Sequence, residues 1–194
     1  MKQYKAINQN VEVNGQTILS FVDALGSMRD IGFKILAEKG IDNPQKGEWY
    51  PQQKWLDAFT HISNVADSST LYEIGSAIFG NAEFPPEISN IHEALASIDV
   101  AYHLNHRLDG EALFDEKTKE KKEGIGNYRY KSIDEEKVEI LCDNPYPCDF
   151  DRGIIYSMAK RFKPTSAYFV KVEHNKESSC REKGDKQCSY IVSW

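Results

Sequence analysis

Residues 167–174 read Ala-Tyr-Phe-Val-Lys-Val-Glu-His, residues 175–186 read Asn-Lys-Glu-Ser-Ser-Cys-Arg-Glu-Lys-Gly-Asp-Lys, and residues 187–194 read Gln-Cys-Ser-Tyr-Ile-Val-Ser-Trp. The first and last runs are rich in β-branched and aromatic residues, which predicts two strands. Gly184-Asp185 between them is a turn signal. The stretch is therefore expected to form a hairpin that brings Cys180 and Cys188 near one another. Residues 175–179 have poor strand propensity and are expected to bulge outward.

Working back from this hairpin, the other two cysteines are Cys142 and Cys148. Asn144-Pro145-Tyr146-Pro147 before Cys148 is a rigid, extended entry, because each proline fixes φ and restricts the residue before it. A helix is expected from Asp149 or Asp151 to about Phe162, closed by Lys163-Pro164. Three thiols with one of Glu177 or His174 supply a donor set suited to a tetrahedral structural zinc. Free thiols or a disulfide remain open on the same residues, because no paired C-x2-C is present.

Cys148-x4-Gly153, an apolar helix, a strand, and then Glu177-x2-Cys180-x3-Gly184-Asp185-x2-Cys188 resembles the 4-vinyl reductase domain. The match covers about residues 142–194. That domain is similar in fold to heme nitric-oxide-binding domains and to small subunits of a Golgi vesicle-tethering complex. The resemblance implies a ligand-binding fold with zinc held by Cys148, Glu177, Cys180 and Cys188. The Cys148–Cys180 segment is a few residues longer than in those relatives, which makes His174 the alternative to Glu177.

Further upstream the elements are mainly helical. Asn14-Gly15 between short alternating runs signals a hairpin, an N-terminal ribbon over residues 1–17. One long helix is expected at 18–39, with Gly26 and Gly32 costing propensity inside it. Pro51 opens a helix to about Val65. Asp67-Ser68-Ser69 caps a helix at about 69–80, with Gly80-Asn81 as its stop. Pro85-Pro86 opens another at about 86–105. Gly124–Ser132 and Lys137–Cys142 read as two strands around an acidic turn. The charge run Asp115–Glu123 is a solvated surface. The expected fold is α+β in one domain, residues 1–194. A helical part, 18–106, packs on an antiparallel sheet within 124–194, as in the 4-vinyl reductase and NO-signalling-and-Golgi-transport ligand-binding type.

The 194 residues carry a net charge of −6 and are 40% hydrophobic. This balance argues against a general nucleic-acid surface, which needs a basic patch. No apolar run approaches the roughly 20 residues that span a bilayer. The N-terminus lacks a signal-peptide core, so the cytoplasm is the expected compartment and stable disulfides are disfavoured there. No serine elbow, P-loop, dinucleotide fingerprint or H-E-x-x-H occurs, and a non-enzyme is expected.

Aromatic residues crowd the helical part. Trp55, Phe59, Tyr72 and Tyr102, with His103 and His106, are the candidate lining of a pocket for a small apolar or aromatic ligand. Ser97–His103 is loosely similar to the axial-histidine helix of the heme nitric-oxide-binding domains. Tyr102 stands where that histidine belongs, and the propionate clamp is not evident, so heme is not expected. The resulting expectation is a small-molecule sensor with structural zinc, acting as a homodimer and through a protein effector. A scaffold of the tethering-subunit type and a heme-based gas sensor are the alternatives.

Overall fold

The computed structural model describes residues 2–79, 84–175 and 177–194. Helices α1 (Gly15–Ala24), α2 (Arg29–Glu38), α3 (Gln52–Val65), α4 (Ser68–Ile78), α5 (Ile91–Leu104) and α6 (Cys148–Phe162) pack against two four-stranded antiparallel sheets. One sheet has the order β2 (Trp49–Pro51), β1 (Val11–Asn14), β3 (His106–Leu108), β4 (Glu111–Ala112). The other has the order β5 (Tyr128–Asp134), β6 (Lys137–Cys142), β8 (Cys188–Ser193), β7 (Lys171–His174). This is the expected α+β class, with helices segregated from antiparallel strands.

The C-terminal sheet follows its alternation. Val138, Ile140 and Cys142 on β6, and Cys188, Tyr190 and Val192 on β8, face the core and are buried. Their register pairs Ile140 with Tyr190 and Cys142 with Cys188. Helix α6 covers this face. It crosses α4 at Gly153 and Gly75, where an added Cβ would lie 2.2 Å from a backbone carbonyl oxygen on each side. Only glycine lets two backbones approach this closely.

Four boundaries differ from the sequence reading. Asn14-Gly15 makes no hairpin: Asn14 caps α1, its side chain accepting from Thr17 N at 2.8 Å. Gly15 serves close approach, since a Cβ there would sit 2.0 Å from the Gln45 carbonyl oxygen. The long helix breaks into α1, a 3-10 turn at Gly26–Met28 and α2, with Gly26 at φ +55°. Pro85-Pro86 forms a turn closed by Ile88 N to Pro85 O at 3.0 Å, and α5 starts later, capped by Asn90. β7 begins at Lys171 rather than Ala167, leaving Tyr168 and Phe169 exposed. The Gly80-Asn81 stop lies outside the described residues, as does Lys176 in the expected bulge.

Candidate functional site

Two constellations stand out, one on each side of the 144–148 entry to α6. The first is the thiol cluster. Cys148 opens α6, Cys180 precedes a short 3-10 turn, Cys188 opens β8 and His174 ends β7. Gly184, at φ +93°, supplies the left-handed turn that folds Cys180 back towards Cys188. The ligand atoms of Cys148, His174, Cys180 and Cys188 all lie within 4.8 Å of one another. Cys148 Sγ and Cys188 Sγ are 3.3 Å apart. Their shared hydrogen bond lowers the Cys188 thiol and raises that of Cys148. The Arg181 backbone N–H and Nε–H also donate to Cys188 Sγ, at 3.3 and 3.4 Å, and favour its thiolate. Both His174 ring nitrogens are buried and make no hydrogen bond of good geometry, although the ring lies close enough to Cys188 to help lower its thiol.

Of the expected ligands, the structure therefore brings together the three cysteines and His174. Glu177 is exposed and stands outside this group. Strand geometry accounts for the choice: β7 carries His174 opposite Tyr190, with the two rings stacked at 4.7 Å between centroids, and so aims it inward. Cys142 is buried on β6 but is not part of the group.

Arg181 and Asp151 were not anticipated. Asp151 is fully buried, receives the Tyr128 hydroxyl at 2.6 Å, and forms an ion pair with Arg181. Burial pushes its carboxyl up to about 6, against the pull of the guanidinium. The sequence signal for this pair was only an acid in the first turn of a helix.

The second constellation is a cavity of about 80 Å³ between the helices and the sheets, lined in part by Trp55, Ile98, Tyr102, His106, Tyr146 and Phe150. His106 is buried. Its Nδ1 lies 2.7 Å from the Tyr102 carbonyl oxygen, which can only accept, so Nδ1 carries the proton. Nε2 then accepts from the Tyr146 hydroxyl at 2.7 Å, and that hydroxyl accepts from Gln52 Nε2 at 3.3 Å. Burial lowers the His106 pKa to about 4, so the imidazole is neutral near pH 7.

The expected pocket residues divide. Trp55, Tyr102 and His106 line the cavity. Phe59 is in the core, edge-on to Trp55, Tyr146 and Phe150. Tyr72 packs under Arg152 at the α4–α6 crossing, away from the cavity. His103 is buried with Nδ1 on the Asp99 carbonyl oxygen at 2.8 Å and Nε2 unpartnered. Tyr146 and Gln52 were missed as site residues: Tyr146 lies in the Pro145–Pro147 entry, legible only as rigid backbone, and Gln52 falls in no motif.

No family profile and no curated protein matches the sequence. Solved structures do match in fold. An H-NOX protein from S. oneidensis in its Fe(II) ligation state aligns with a TM-score of 0.63 at 12% identity, over 93% of this chain and 95% of that one. A doubly substituted Tt H-NOX aligns at 0.60 and 15%, over 93% and 94%. A structure described as probing heme distortion in the H-NOX family aligns at 0.63 and 16%, again over 93% and 94%. At these identities the likeness establishes the fold.

These comparisons correct the cofactor expectation of zinc with heme set aside, since the proteins that share the fold are described by iron and heme. The donor chemistry at His106 fits such a group: a neutral imidazole, its tautomer fixed through Nδ1, with its other nitrogen turned to an apolar cavity. The space as it stands is far too small for it, and Tyr146 is one of the residues that line it. A cavity of ~150 Å³ takes only a benzene, and the 80 Å³ here is smaller. Heme would be held by His106 only with the Tyr146 hydroxyl displaced from Nε2. Among the described residues no helix is long and apolar enough to cross a membrane.

Proposed function

We propose that this chain is a non-catalytic sensory domain whose ligand site is the buried cavity at His106, and that heme-based sensing of a diatomic gas is the reading to test first. The carrying observation is the His106 imidazole, neutral and fixed by the Tyr102 carbonyl, with Nε2 facing an aromatic cavity in this fold. The H-NOX neighbours, described in Fe(II), Fe(II)NO and Fe(II)CO states, support it. Heme would supply an iron able to take up the gas. The chain's own parts would hold and orient the group and exclude water: His106 as the nitrogen base, Tyr102 fixing its tautomer, and Trp55, Ile98 and Phe150 as the dry wall.

A small apolar or aromatic molecule is the second reading, favoured by the aromatic lining of the cavity, which would have to widen to admit a ring. Purified full-length protein titrated with hemin distinguishes them. One equivalent with a porphyrin band that is lost in His106→Gln supports heme. Absence of that band, with thermal stabilisation by a benzene-sized probe, supports the second reading. Absence of both responses rejects the site.

We further infer that Cys148, His174, Cys180 and Cys188 hold one thiophilic metal ion as a structural site, with Glu177 the competing fourth ligand. Two sulfurs at ~2.3 Å from a tetrahedral centre stand ~3.8 Å apart; Cys148 and Cys188 are at 3.3 Å and all four ligand atoms within 4.8 Å, so small side-chain shifts would reach that geometry. The motif around these residues supports kinship with 4-vinyl reductase domains, and one domain over residues 1–194. A scaffold of the tethering-subunit type is the competing role. The proposal includes a cytoplasmic setting, a protein effector and a homodimer through the N-terminal elements, where Met28 and Ile31 are exposed.

A further inference from the structure

Three thiolates and a neutral imidazole around a divalent ion leave one negative charge in excess. At the thiol cluster that charge has little water to spread into, because Cys148, Cys180 and Cys188 are only 3%, 1% and 0% exposed. A buried charge is costly unless donors are arranged around it. Arg181 is a cation in contact with the cluster, and it reaches Cys188 in two ways.

The first contact is set by the backbone. Arg181 follows Cys180 and opens the 3-10 turn Arg181–Lys183. Lys183 N donates to the Cys180 carbonyl oxygen at 2.9 Å, and Gly184 N to the Arg181 carbonyl oxygen at 3.0 Å. Asp185 Oδ2 accepts from Cys180 N at 2.8 Å. In the turn so fixed, the Arg181 backbone N–H donates to Cys188 Sγ at 3.3 Å.

The second contact comes from the side chain. Nε donates to the same sulfur at 3.4 Å, Nη1 to Asn144 Oδ1 at 3.0 Å, and Nη2 to Asp151 Oδ2. A guanidinium is a rigid planar fork. Holding Nη1 on the entry to α6 and Nη2 on α6 itself therefore aims Nε at the start of β8. Asp151 is oriented in turn by the Tyr128 hydroxyl at 2.6 Å. A lysine could pair with Asp151 as a point charge, but one ammonium cannot fill these three directions at once.

Resting on the metal reading of this cluster, we propose that Arg181 is a positioning residue for the bound ion: anchored by Asp151 and Asn144, it orients Cys188 as a hydrogen-bonded thiolate and offsets the excess charge of a divalent ion held by three sulfurs. Hydrogen bonds from a charged donor are the strong ones. Partners that orient metal ligands in this way typically change metal affinity by about 10–100-fold when removed.

The test loads the full chain with cobalt(II), whose sulfur-to-metal charge-transfer band reports the electron density on the thiolates, and measures zinc affinity by competition with a chelator. Arg181→Lys keeps a cation for Asp151 and loses the Nε donor. The double variant Arg181→Met with Asp151→Asn removes both charges together, so that no lone buried charge unfolds the chain. Both retain the backbone donor. In both, the charge-transfer band should move to lower energy, because the Cys188 sulfur becomes richer in electrons, and zinc should bind about 10–100-fold more weakly. Tyr128→Phe disturbs Asp151 without touching a sulfur; it should lower Tm and leave the band in place. A band that is unmoved or moves to higher energy in either Arg181 variant, zinc affinity undiminished in both, or a Tyr128→Phe band displaced as far as theirs would each overturn the role of Arg181 and leave the metal reading standing. A parent chain that takes up neither cobalt nor zinc would refute the metal reading, and this inference with it.

Discussion

His106 and His174 both hold their ring nitrogens away from water, yet the two imidazoles are served differently. Both nitrogens of His106 are satisfied by the protein, one by the Tyr102 carbonyl and one by the Tyr146 hydroxyl. Neither nitrogen of His174 makes a well-formed hydrogen bond, and its neighbours are three thiols, Cys188 near enough to feel the ring. A satisfied base must lose a partner before it binds anything, so occupancy there is conditional and reversible. An unsatisfied base among soft donors is stabilised by the ion it binds. The difference separates a cavity suited to sensing from a cluster suited to holding the chain together.

The strongest way to break this contrast is to empty the cluster. If it holds a structural ion, a chelator that strips it should cost about 5 kcal/mol or more, since structural metal sites supply folding free energy directly. For a chain of this length that is a fall in Tm of roughly 10–20 °C. Cys180→Ser should reproduce it and Cys142→Ser should not. Metal analysis giving no ion in freshly purified protein, with no Tm change on chelation, would remove the distinction.

The contrast is sharpened next by acid. His106 is held neutral, with a folded pKa of about 4 against about 6.5 for an unperturbed histidine. Below pH 6.5 the unfolded chain takes up a proton that the folded chain refuses. The stability supplied by keeping this group neutral is thus complete above pH 6.5 and is lost as pH falls towards 4. The full loss is about 3 kcal/mol. Denaturant unfolding of the parent and of His106→Gln across that interval should show the parent falling more steeply by this amount. Parallel curves would mean that His106 takes up its proton in the folded state. Loss of an ion from the thiol cluster in acid would affect both proteins alike and cancels in the difference.

How legible these sites were follows from how local their causes are. Helix α6 was readable because Pro147 fixes its entry and Lys163-Pro164 its exit. The hairpin cysteines were readable because Gly184 and the flanking β-branched runs act within a few residues. Asn14-Gly15 misled because the same dipeptide serves a turn or, as here, a helix cap beside a tight backbone contact that begins 30 residues away at Gln45. The start of α5 carried a missed signal, the capping box in which Glu93 N donates to Asn90 Oδ1 and Ser89 N donates to Glu93. β1, β2 and β3 are four residues or shorter, and they pair across 35 to 97 positions, so no local pattern marks them. Tyr146 and Gln52, which decide the cavity, meet only through tertiary packing of α3 on the Pro145–Pro147 entry.

The finest test of the contrast is the hydroxyl that closes the cavity. Tyr146→Phe removes the donor to His106 Nε2 and the acceptor for Gln52 Nε2 while keeping the ring against Phe59 and Phe150. Two buried groups lose a partner, which would ordinarily cost about 1–3 kcal/mol. The adjoining cavity of about 80 Å³ limits that loss. A single water needs only ~10–15 Å³ by this measure and can bond to both groups. The expected cost is therefore about 1 kcal/mol, at the bottom of the range. The functional effect should run the other way, because an exchangeable water now occupies the place of a tethered hydroxyl on His106 Nε2. Hemin, or a benzene-sized probe if that is the occupant, should enter Tyr146→Phe more tightly than the parent. His174→Ala should leave this affinity unchanged while releasing the metal. Equal affinity in Tyr146→Phe and parent would show that the hydroxyl does not control access to His106, and the conditional character assigned to this imidazole would fall with it.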